Sequence, residues 1–218
     1  MLLYVNGCSI THGYGVEYHN SYPNILATEM SWEIINDSQC GVGNDWILHT
    51  TLERLNSMLV KPDLVIIQWS GVNRRLHCDI MGNYYYVNLS DHTQYHPKFD
   101  PMASEHTIHY MFILQEYLKS IGVKYLFFNY MEINEEVKFL STYDKIDFQN
   151  FIEFEECNLF SGMLNHMKRG GLVCDDFGHP NQKGQIYIFE KIIEKLKEMD
   201  LFIKKDYNYI YRQINKII

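Results

Sequence analysis

Short, almost wholly apolar runs, each followed by small or polar residues, constrain this chain more than any other feature. They cover 2–5, 34–35, 64–67 and 123–128. A strand with one wet face alternates apolar and polar residues. An unbroken apolar run suits a strand covered on both faces, as in a parallel sheet. Between the runs the apolar period lengthens to that of a helix. Trp46, Ile47, Leu52, Leu55 and Met58 fall near one side of 42–58. Ile108, Met111, Phe112 and Leu118 follow Ser104, which reads as an N-cap with Glu105 in the first turn. Ile186, Phe189, Ile193 and Leu196 repeat the spacing near the end. Strands alternating with helices predict a three-layer α/β/α sandwich joined by right-handed crossovers.

Two stretches break the rhythm: 74–102 is polar, aromatic and histidine-rich, and 132–168 is acidic and aromatic. Both read as insertions in a single domain spanning 1–218, because connections this long are usually lids or small additions. Composition narrows the function. Hydrophobic residues at 46% are enough for a packed core. Nineteen Lys and Arg against 27 Asp and Glu, a net charge of -8, argue against a protein that grips nucleic-acid phosphates. Cys8, Cys40, Cys78, Cys157 and Cys174 are scattered, with no Cys-x-x-Cys pair, so reduced thiols are expected rather than a disulfide framework or zinc ribbon. No apolar run reaches the roughly 18 residues a membrane span needs, and the opening residues lack a signal-peptide pattern. A cytoplasmic protein with neither membrane nor nucleic-acid partner is the expectation, its oligomeric state left open.

Ligands of an open parallel sheet bind beyond the carboxyl ends of its strands, and those ends carry the suggestive residues. Ser9 directly follows the first run, on a turn able to expose its hydroxyl. A serine hydroxyl needs a neighbouring base to attack, and His179, held out of helical geometry by Pro180, can serve. Asp176, three residues earlier, is the expected partner of the other imidazole nitrogen, with adjacent Asp175 the alternative. The N–H groups of Ser9 and Gly41 and the amide of Asn73 can hold an oxyanion, Gly43 being the alternative to Gly41. Cys8 reads as a small buried filler rather than a reactive thiol. His106 and His109 with Glu105, and Asp91 with His92 and His96, lack a further ligand and read as solvent-facing, so no metal site is expected.

On these residues the sequence resembles the SGNH (GDSL-like) hydrolases, from residue 7 to residue 181. Ser9, Gly41, Asn73 and His179 match the family's four name-giving residues, and Asp176 matches its Asp-x-x-His motif. The resemblance implies a flavodoxin-like sandwich with a parallel sheet of about five strands and a serine esterase mechanism without cofactor. Two departures stand out: Gly7-Cys8-Ser9 replaces Gly-Asp-Ser, and Arg74 follows Asn73 where the family has Asp. Arg74 and the tyrosines Tyr84, Tyr85 and Tyr86 are candidate substrate-binding residues, and they favour a small-molecule or glycan ester, with carbohydrate O-deacetylation ahead of long-chain lipolysis. The alternatives are an inactive binding or structural module on the same fold, and an O-acyltransferase using the same residues.

Overall fold

The computed structural model describes residues 1–78, 81, 84–88, 101–152, 154 and 162–201. Each apolar run becomes a strand: β1 (Leu2–Asn6), β2 (Glu33–Asn36), β3 (Leu64–Trp69) and, after a hairpin, β6 (Lys124–Asn129). They form one parallel sheet in the order β2-β1-β3-β6. Leu3 stands opposite Ile34 on one side and Leu64 on the other, and Leu64 opposite Lys124. The central strand β3 is buried along its whole length, which is why its sequence cannot alternate.

Helices α2 (Tyr22–Met30), α3 (Asn44–Ser57), α4 (Pro101–Ser120) and α6 (Gln182–Glu198) flank the sheet, α2 packing on α6 and α3 on α4. Helix α4 starts at Pro101, so Ser104 lies inside it rather than capping it. Proline suits a first turn, where its missing N–H has no partner to lose. Ser104 is buried, and its hydroxyl accepts the N–H of Asn134 at 3.0 Å.

The α/β sandwich is therefore present, with four parallel strands among the described residues where about five were expected. At the fifth position Phe151 makes a parallel bridge to Phe127, and Ile152 N–H bonds to Phe127 O at 2.9 Å. Three short 3-10 turns between Glu135 and Asn150 precede it, and residues 153 and 155–161 after it lie outside those described. The 74–102 stretch opens with an antiparallel hairpin, β4 (Arg74–Cys78) and β5 (Tyr84–Asn88). Among the described residues no helix is long and apolar enough to cross a membrane.

From β1 the chain crosses to β2 on one side and then to β3 on the other. The strand order reverses between β1 and β3, and such a switch point opens a crevice at the carboxyl ends of those two strands. A buried glutamine far along the chain closes one wall beside it: the Gln185 amide of α6 accepts Tyr22 N–H at 2.9 Å and donates to Ile10 O at 3.1 Å.

Candidate active site

Strand β1 ends in a tight turn that only glycine permits. A Cβ on Gly7 would collide with the Thr11 hydroxyl and stand 2.8 Å from the Gln68 amide oxygen. With no side chain there, Gln68 reaches from β3 under the turn and accepts Cys8 N–H at 3.0 Å and the Thr11 hydroxyl at 3.3 Å. Thr11 meets the Tyr22 hydroxyl at 3.0 Å. These bonds hold a one-turn helix, α1 (Ser9–His12), which Gly13 closes in the left-handed conformation that glycine adopts without strain. Ser9 is its first residue, and no described group accepts the Ser9 N–H, one of the donors a helix start leaves over. Only 3% of Ser9 is exposed, so its hydroxyl is covered rather than open as the sequence suggested.

The acid–base side is built differently. Asn181 caps α6, its side chain accepting Gly184 N–H at 3.0 Å and donating to the carbonyls of Gly171 and Val173. Two residues upstream, His179 sits in a loop pinned by the bond from Cys174 N–H to its carbonyl at 2.8 Å. Asp175 organises that loop, one carboxylate oxygen accepting the N–H groups of Gly178 and His179 at 2.8 and 2.9 Å. Its other oxygen lies 2.6 Å from His179 Nδ1. Across the crevice, His179 Nε2 lies 2.9 Å from Ser9 Oγ. Burial would raise the Asp175 carboxyl, but the N–H groups and the imidazole outweigh it and hold the group below the usual carboxylate range.

Asp176 is thus corrected to Asp175 as the residue on the imidazole. The i, i+3 spacing of Asp176 suits a helical turn, but Gly178 has φ +91° and turns the chain back. The carboxylate four residues before the histidine then meets the ring, and the one three before faces solvent. Asp176 is exposed, and its backbone carbonyl accepts the Lys168 ammonium at 3.0 Å.

Other expected residues stand around the same rim. The loop after β2 is tied to the Ser9 turn by Gln39 N–H on Gly7 O at 3.1 Å, and it leads to Gly41, exposed with φ +85° and open space beyond its α-carbon. Gly43 is the more crowded glycine, since a Cβ there would stand 2.5 Å from the Arg74 carbonyl oxygen. Asn73 is buried, its amide oxygen packed over Gly71 where a Cβ would collide with it. Asn44, at the start of α3, pins the β3 end by exchanging two bonds with Ser70, at 2.7 and 3.1 Å. Arg74 donates to the Ser70 hydroxyl at 3.1 Å. Burial works against ionising the Cys8 thiol, yet the Arg74 charge, the Ile10 N–H and the Ser70 hydroxyl pull it net below its ordinary value.

Beside Arg74 opens a cleft of about 220 Å³ lined by Asn44, Asp45, Val72, Arg74, His106 and Tyr110 among others. The side chains of Tyr84, Tyr85 and Tyr86 lie outside what is described, as do Asp91, His92 and His96. Among the described residues no three His, Cys, Asp or Glu gather as a metal would require. Sequence reading passed over Gln68 and Tyr14. The signal for Gln68 was its being the one amide in the otherwise apolar Leu64–Trp69. For Tyr14 it was a glycine on either side. The Tyr14 ring lies against that of His179, centroids 4.4 Å apart.

No protein-family model matches the sequence, and no curated protein matches it significantly. Solved structures do match. The chain is similar to the psychrotrophic esterase EstA from Pseudoalteromonas sp., with TM-score 0.60, 14% identity, 92% of this chain covered and 99% of that one. It is similar to TesA, with TM-score 0.62, 16% identity and coverage of 91% and 99%. A GDSL-like lipase from Bacteroides thetaiotaomicron matches with TM-score 0.55, 14% identity and coverage of 91% and 88%. The fold is that of the SGNH (GDSL-like) hydrolases.

Proposed function

We propose that this chain is a serine ester hydrolase, in which Ser9 is the nucleophile, His179 the base and Asp175 the residue that orients it. The observation carrying this reading is the continuous chain of contacts from Ser9 Oγ through His179 to Asp175, at 2.9 and 2.6 Å, within the reach a proton relay needs. Ser9 Oγ attacks the ester carbonyl as its proton passes to His179 Nε2. Asp175 holds the Nδ1 proton and stabilises the imidazolium. The developing oxyanion is met by Ser9 N–H, Gly41 N–H and the Asn73 amide. The alcohol leaves with the proton from His179. Water, deprotonated by the same imidazole, then releases the acid and restores Ser9.

The finer assignment is carbohydrate O-deacetylation. Supporting it is the character of the cleft beside Asn73, where Asp45, Arg74, His106 and Tyr110 offer polar groups and an aromatic ring. No described carboxylate pairs with Arg74, so its guanidinium can meet hydroxyl or acidic groups of a sugar. Long acyl chains favour mostly apolar walls, whereas here Val72 and Ala103 are outnumbered by polar groups.

EstA, similar in fold, has been solved inhibited by monoethylphosphonate, and a fluorophosphonate probe is the direct test here. The expected result is covalent labelling of the wild type, lost in Ser9→Ala and in His179→Ala. A folded wild-type protein that stays unlabelled overturns the hydrolase reading. With p-nitrophenyl esters, acetyl is expected to be cleaved ahead of long-chain acyl groups, and the reverse order overturns the sugar assignment alone.

A further inference from the structure

A place against the imidazole, the two rings tilted to one another, is unusual for a half-exposed tyrosine. Tyr14 is 52% exposed, so burial of its own surface does not explain the care with which it is held. Its N–H bonds to the carbonyl of Ser9 at 2.9 Å, directly behind the nucleophile. The glycines on either side, Gly13 and Gly15, have φ +84° and +87°, conformations that other residues adopt only with strain. Both are also filled from outside. A Cβ on Gly13 would meet the Ser21 side chain, and a Cβ on Gly15 would collide with the Cys174 sulfur. Cys174 adjoins Asp175 and bonds through its N–H to His179 O. The turn carrying Tyr14 is thus clamped between the start of α2 and the loop carrying the acid–base pair. What the clamp achieves is one contact, the Tyr14 ring against His179, with centroids 4.4 Å apart and planes inclined by 46°.

The imidazole needs such a wall. Its two hydrogen bonds fix the edge of the ring at Nδ1 and Nε2 but resist tilting of its plane weakly. A tilt lengthens the Ser9 contact, and misplacing a reacting group by about 1 Å can cost about 10²-fold in rate. From this geometry we propose that Tyr14 is a positioning residue, which holds the plane of the His179 imidazole so that its two nitrogens face Ser9 and Asp175 together. The role rests on the hydrolase reading for its consequence in rate, but the restraint on the ring stands independently of turnover.

The test compares wild type, Tyr14→Ala and Tyr14→Phe in the full chain. Two readouts are needed: kcat and KM for p-nitrophenyl acetate, and the low-field proton NMR signal of the His179 imidazole N–H bonded to Asp175. Tyr14→Ala is expected to lower kcat about tenfold with KM little changed, and to broaden or abolish the low-field signal. Tyr14→Phe, which keeps the ring, is expected to restore both. Should Tyr14→Ala fail to fold by circular dichroism, Tyr14→Leu is read in its place, since it fills volume without a flat face. The proposal is overturned if the low-field signal survives in the ringless variant, or if only KM rises, which would make Tyr14 a wall for substrate alone. If the wild type neither hydrolyses the ester nor takes the fluorophosphonate, the hydrolase reading fails, and the NMR comparison still decides the role of Tyr14.

Discussion

The two walls of the crevice are held by opposite means. On the nucleophile side, Ser9 is 3% exposed and Thr11 and Gln68 are not exposed at all. Its hydrogen bonds run into the core, to a glutamine on the central strand and a tyrosine on α2. On the acid–base side, the side chains of His179 and Asp175 are 15% and 25% exposed. That loop is organised chiefly by the bonds of its own aspartate and by backbone bonds to neighbours, with the Lys168 ammonium and the Tyr130 hydroxyl on its carbonyls. The contrast follows from what each wall must do. In the proposed hydrolysis the Ser9 wall also presents a backbone donor whose aim must not change during reaction, and a buried polar lattice gives such preorganisation. In the same proposal the other wall exchanges protons with alcohol and water, which requires access.

Substitutions can break this contrast, and the largest effect is expected on the wetter side. Asp175→Asn keeps the shape but offers an amide where the imidazole needs an acceptor, and a loss of about 10⁴-fold in kcat is expected. Asp176→Asn, one residue away, should stay within about twofold, because exposed charges remote from the chemistry contribute little. Equal losses in the two variants would contradict the assignment of Asp175.

Gln68→Leu probes the drier wall. It leaves the Cys8 N–H buried without an acceptor, and the unfolding free energy should fall by about 1–3 kcal/mol. Activity should fall as well, by about tenfold or more, as the turn relaxes. A variant as stable and active as wild type would mean that Gln68 does not organise the turn.

The smallest effect is a pH dependence of stability. The Asp175 carboxyl lies below its ordinary value in the folded state, so the unfolded chain binds the proton more readily. The stabilisation is complete above the unfolded value of about 3.9 and is lost as pH falls through the lower folded value. Urea unfolding of wild type and Asp175→Asn should therefore differ at pH 7 and converge in acid. A difference that grows on acidification would refute the sign.

The architecture was legible because burial on both faces writes unbroken apolar runs, and 2–5, 64–67 and 123–128 all became sheet strands. The positions of Ser9 and His179 at one rim were legible for the same reason, since both follow from where strands end and the last helix begins. Asp175 was less so. Its identity depends on a left-handed glycine in the intervening turn, and spacing alone does not show that the chain doubles back at Gly178. The start of α4 was misplaced because Ser104 has the chemistry of a cap, while Pro101, three residues earlier, has the geometry of a first turn. Gln68 was hidden among apolar neighbours, its partners being 60 and 57 residues distant.

The Gln185 amide, bonded at once to Tyr22 and to Ile10, has a consequence for how the molecule comes into being. Ser9 and its imidazole partner are 170 residues apart, and the helix that carries this glutamine follows just behind the histidine. Until that helix docks, the hydroxyl waits in a half-built wall without a base. Turnover should thus report the docking of α6, switching on only when the turn after β1 and the last helix of the sandwich have met.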